Sequence, residues 1–152
     1  MRVALGLIAA TIAAPAAVAM AFAGLHYLEI GWFGAQDWSV VEENIWLYAM
    51  FSAPVAFFIA LSAGAPFAHR LAEQGHRGIV GYALIGLLLG ASPFVAFDGY
   101  ILGSRYLLET RPTPDMEAVV TAARWAALGA WCGLWSGLAY WVAAIRQPAR
   151  ST

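Results

Sequence analysis

Four long apolar stretches occupy most of this chain: Val3–Leu25, Ile45–Gly64, Ile79–Leu102 and Trp125–Ile145, the last approached from residue 121. An α-helix needs about 20 residues to cross the hydrocarbon core of a bilayer, and each stretch has roughly that length. Lipid supplies no partner for a backbone N–H or C=O, so spans of this kind have to be helical. Asp98 is the one charged side chain well inside any of them. The sequence therefore predicts an all-α integral membrane protein, a single domain of four transmembrane helices over residues 1–152.

Composition supports this and removes other classes. Hydrophobic residues make up 62% and charged residues 11%, against about 25% charged in a soluble domain. A soluble fold this apolar would expose large aggregating patches. A net charge of −1 provides no basic face for phosphates, so nucleic acid is not an expected partner. The single cysteine, Cys132, can form neither an intrachain disulfide nor a CxxC redox pair. It reads as a small packing residue.

The first span has a second reading. Ala21-Phe22-Ala23 after an apolar run resembles a signal-peptide cleavage site. The run exceeds a usual signal core and contains Pro15, so it is read as a membrane helix. Arginine placement gives the orientation. Arg2, Arg70, Arg77, Arg146 and Arg150 fall on one side, and Arg105, Arg111 and Arg124 on the other. The positive-inside rule counts basic residues, so both termini are expected in the cytoplasm, with the protein in the cell (inner) membrane.

The connections carry their own signals. Trp32, Phe33 and Trp38 in Ile30–Glu43 suit the headgroup level, and this segment is expected to lie along the membrane surface. Pro112 and Pro114 point to an extended turn over Gly103–Met116. Pro66 and Gly75 mark Ala65–Gly78 as a loop on the terminus side. A weak repeat pairs Pro15 with Pro93, Glu29 with Glu109, Val40 with Val119 and Trp46 with Trp125 at offsets of 78 to 80. It suggests a duplicated helical hairpin with halves 1–78 and 79–152.

Small residues forecast how the helices pack. Gly86 and Gly90 in the third span, and Gly129, Gly133 and Gly137 in the fourth, recur every four residues. Such strips let two backbones approach closely, either within the chain or between copies of it. Trp131, Trp135 and Tyr140 fall on other faces and read as lipid contacts or space fillers. Pro15, Pro54 and Pro93 interrupt three spans, a pattern that leans towards a cavity.

The candidate site is a polar layer near the outer ends of the spans. Asp98, His26, Glu29, Glu43, Arg105 and Arg124 lie at about one depth. A carboxylate at mid-bilayer costs roughly 2.5–3.5 kcal/mol, so Asp98 is expected to face the bundle and bond a side chain of another helix. The plainest reading is a mutually satisfied polar cluster. A proton or cation relay through Asp98 and His26 is the second. A metal site from His26, Glu29, Asp98 and Glu43 is the third, because His-x-x-Glu pairs serve di-metal bundles. Arg105 at the repeat position of the histidine weakens it, and no metal or other cofactor is expected. His69, Glu73 and His76 read as solvated loop residues. Phosphate loops, GxSxG, HExxH and CxxC are all missing from the sequence. The leading expectation is a non-enzymatic subunit or partner-binding component of a membrane complex, embedded in the lipid bilayer, with a second copy or another membrane protein as partner. A homo-oligomeric channel or proton-coupled transporter using Asp98 is the alternative, and a membrane metal or redox protein the third.

Overall fold

The computed structural model describes residues 2–27, 38–108 and 116–146, without the side chains at 26, 38–44, 102 and 105–108. Its helices are α1 (Arg2–Tyr27), α2 (Trp38–Ile59), α3 (Ala65–Glu73), α4 (Ile79–Leu108) and α5 (Met116–Tyr140). π-helical turns at Ala60–Gly64 and Trp141–Ile145 extend α2 and α5. Four helices are long and apolar enough to cross a membrane: Arg2–Leu25, Ile45–Glu73, Ile79–Ile101 and Met116–Ile145. By length and composition this is the architecture of a multi-pass helical membrane protein.

The second span runs further than its sequence suggests. The Ala65 N–H reaches back five residues to the Ala60 carbonyl, and Pro66 follows in the first turn of α3. In an unbroken α-helix the proline ring would strike the carbonyl of Ser62. The wider turn just ahead accommodates it, so the helix continues instead of ending. The loop expected over Ala65–Gly78 is thereby reduced to residues 74–78. Gly75, at φ 79°, is the left-handed residue that ends α3. The His76 N–H bonds the Leu71 carbonyl at 2.9 Å and the Gly75 N–H that of Ala72 at 3.2 Å, the paired bonds of a Schellman stop.

Other boundaries shift for similar reasons. α4 continues to Leu108, inside the stretch read as an extended turn. α4 ends four residues before Pro112, at the carbonyl that a proline, lacking an N–H, cannot bond. Residues 38–43, read as part of a surface segment, already belong to α2; Trp32 and Phe33 lie outside the described residues.

The bundle is an open arc in the order α2–α1–α5–α4. α4 and α5 make the closest pair, α1 lies along both α5 and α2, and α2 barely touches α4. In a duplicated hairpin the α1–α5 contact would correspond to the α4–α2 contact; α1 packs along α5, whereas α2 barely touches α4. Glycine explains the closest pair. A methyl group built on Gly90 would lie 2.8 Å from the Gly133 Cα, and one on Gly86 3.0 Å from the Gly137 Cα. The two glycine strips therefore face each other within one chain. Lipid tails are as apolar as leucine, so this close backbone contact, rather than hydrophobic burial, holds the pair.

Alanine has the same use on α1. Ala10, Ala14 and Ala17 are buried, which brings α5 near enough for two hydrogen bonds to the α1 backbone. The Trp131 indole N–H donates to the Ala17 carbonyl and the Ser136 hydroxyl to that of Ala10, both at 3.0 Å. Trp131, expected at the lipid boundary, thus also ties α5 to α1. Gly6 lies under Tyr140 and Ala144, so the start of α1 and the end of the α5 span share one face of the bundle.

Candidate functional site

The open side of the arc is the most distinctive feature of the fold. Where α2 and α4 stand apart, a cavity of about 330 Å³ lies between them, floored by α1 and α5. Val55 and Ile59 of α2, Ile85 and Leu89 of α4 and Cys132 of α5 are among its walls. Among the described residues no carboxylate, arginine or histidine lines it. Its two serines are already engaged: Ser52 donates to the Ala49 carbonyl at 3.0 Å and Ser136 to that of Ala10. The cleft is therefore apolar in effect and lies between α2 and α4.

Aromatic residues close both ends. At the end away from the termini each spanning helix contributes one ring. Phe22 stacks on Tyr48 at 5.4 Å, Tyr48 tilts against Trp125 at 5.2 Å, and Trp125 stacks on Phe94 at 6.3 Å. Offset stacked and tilted pairs at such distances are favoured by the ring quadrupoles. At the terminus end, Tyr82 and Tyr140 are buried with Ala10, Ala68 and Ala144. The Tyr82 hydroxyl donates to the Ala68 carbonyl at 3.3 Å, tying α4 to α3.

Beyond Tyr82 the face turns basic. Arg70, Arg77 and Arg146 are exposed there. Arg77 lies two residues before α4 begins. Its carbonyl accepts the Trp141 indole N–H at 2.9 Å, and the Arg146 guanidinium sits 5.8 Å from the Trp141 ring centre. Glu73, on the same face, pairs with His69 at 3.2 Å. α3 thus makes the His69–Glu73 spacing helical, while His76 follows the Gly75 stop and falls out of register.

The polar layer read from the sequence is only partly described. Asp98 is half-buried on α4, on the row Tyr82–Gly86–Gly90–Phe94–Asp98 that recurs every four residues. Among the described residues no hydrogen bond or ion pair engages its carboxylate, and Arg124 is exposed on α5. The side chains of His26, Glu43 and Arg105, and all of Glu29, lie outside the described residues. Among the described residues no charged side chain is buried, and no three His, Cys, Asp or Glu side chains converge as metal ligands.

The glycines stand out in the sequence; the place of the cleft, the aromatic chain and the role of Ser136 do not. Trp125 stands out in the sequence only as a repeat landmark, and its counterpart Trp46 is 67% exposed. The three prolines lean towards a cavity, but its position has no sequence signal, because the four spans are apolar on every face. Comparison with protein-family models, curated proteins and solved structures returned no match.

Proposed function

We propose that this chain is a non-enzymatic component of a membrane complex, and that the side on which α2 and α4 part is its binding face. One observation carries the reading: glycine and alanine bring α5 close to both α4 and α1, while α2 and α4 stay apart along this apolar cleft. A bundle built for stability alone would close it, since an unfilled gap forfeits dispersion contacts along its whole lining. The arginine balance supports placement in the cell (inner) membrane with both termini in the cytoplasm. The partner is a second copy of the chain or another membrane protein whose helix covers the mouth.

Photo-cross-linking in the native membrane tests this. Phe51 at the cleft and Ile12 on α1 are equally exposed, at 64%. A photoreactive residue at position 51 is expected to give a discrete protein adduct, and one at position 12 none. Equal labelling, or no adduct from either, would remove the cleft as a protein-binding face. The mass of the adduct separates a second copy from a different partner.

The half-buried Asp98 supports a second reading, a homo-oligomeric channel or proton-coupled transporter. For that reading, Asp98→Asn in proteoliposomes is expected to abolish proton-coupled flux, since a neutral amide cannot carry a proton. Equal flux from both proteins would take Asp98 out of any mechanism.

A further inference from the structure

The dimensions and charge of the cleft narrow what fills it. A cavity of about 330 Å³ lies at the lower end of small-ligand pockets, about 300–1,000 Å³. A slender apolar chain fits. Among the described residues the lining has no charge to satisfy.

The two ends of the cleft differ. The rings of Phe22, Tyr48, Trp125 and Phe94 cross the bundle at one end, and the carboxylate of Asp98 lies one helical turn past Phe94. At the other end lie Arg77 and Arg146, both exposed, with the Arg146 guanidinium 5.8 Å from the Trp141 ring centre. Trp141 joins the two by donating to the Arg77 carbonyl, and it packs against the cluster containing Tyr82 and Tyr140. The acid on this rim, Glu73, is paired with His69. The ligand that complements this arrangement is apolar along its length and anionic at the terminus-bearing face.

We infer that the cleft seats one acyl chain of an anionic phospholipid, with its phosphate at the rim formed by Arg77 and Arg146. The inference rests on the cleft being the binding face of the chain and names the ligand that fills its depth, beneath whatever protein covers the mouth. Arginine suits this position because its planar fork pairs bidentately with phosphate oxygens. It also makes the lipid part of the fold, filling the side on which α2 and α4 lack mutual contacts.

The test uses the full chain in bilayer discs of phosphatidylcholine. The probe is phosphatidylglycerol with a photoreactive group midway along one acyl chain. Adducts are expected on the cleft residues Ser52, Val55, Ala56, Ile59, Ile85 and Leu89, not on the outward-facing Phe58 and Leu88. Unlabelled phosphatidylglycerol should compete better than phosphatidylcholine, by about fivefold for each arginine engaged. The Arg77→Gln, Arg146→Gln double variant should lose that preference while its adducts stay in the cleft. Should the variant fail to fold, competition on the unaltered chain still decides the matter. Adducts spread in proportion to surface exposure, or equal competition by the two lipids, would overturn the proposal. Because no protein partner is present in the discs, this result is independent of cross-linking at position 51.

Discussion

Gly133→Ala is expected to lower the stability of the bundle by about 3 kcal/mol, the upper end of the usual cost of overpacking. The added methyl group would lie 2.8 Å from the Gly90 Cα and 2.9 Å from the Gly86 carbonyl carbon. Both neighbours are backbone, so no side chain can rotate away, and α4 and α5 must separate along the seam. Separation weakens every other contact in the glycine strip, which is why a single methyl group acts so strongly. Gly99 is the control, because a methyl group there meets nothing within 4 Å. Gly99→Ala should be neutral or stabilising by up to about 1 kcal/mol through helix propensity. Reversible unfolding by dodecyl sulfate in mixed micelles measures both. A Gly133→Ala protein as stable as the parent would refute the intrachain seam.

The second large effect is expected at Trp125. Trp125→Ala should cost about 3–4 kcal/mol, within the range for removing a large aromatic side chain from a packed site. The indole is the middle link of the ring chain, tilted against Tyr48 and stacked on Phe94, so its loss uncouples α2 from α4 at the end where aromatic rings bridge them. Trp125→Phe keeps one stacked pair and should lose only about 1 kcal/mol. Trp46, at the matching repeat position, is 67% exposed, and Trp46→Ala should change stability by less than about 0.5 kcal/mol. Unfolding of the three variants in one micelle series provides the comparison. Equal losses at positions 46 and 125 would show that the ring chain does not bridge the helices.

Several features of the bundle are legible in the residues themselves. Spacing of four marks Gly86, Gly90, Gly129, Gly133 and Gly137 as a close-contact surface, since only residues without a side chain permit backbones to meet. It leaves open whether the contact is internal. Gly75 is legible as a break because its left-handed conformation costs other residues energy. Pro66 is misleading. A proline forbids its own N–H bond but not the helix, and a π-turn placed just before it carries the span onward to Glu73. Asp98 is legible as unusual by charge alone, whereas its bonding depends on which neighbours the fold brings to it.

The sequence by itself determined the number of spans, their helical state and the residues at which backbones can touch. These follow from local chemistry: apolar length, the need to satisfy every peptide group, and the size of each side chain. Only the tertiary structure decided which face of each helix points inward. All four spans are apolar all round, so no hydrophobic stripe marks a buried side. The order α2–α1–α5–α4, the gap between α2 and α4, and the meeting of Phe22, Tyr48, Trp125 and Phe94 therefore depend on shape complementarity between helices far apart in the chain. That information lies in pairs of surfaces, and no single segment contains it.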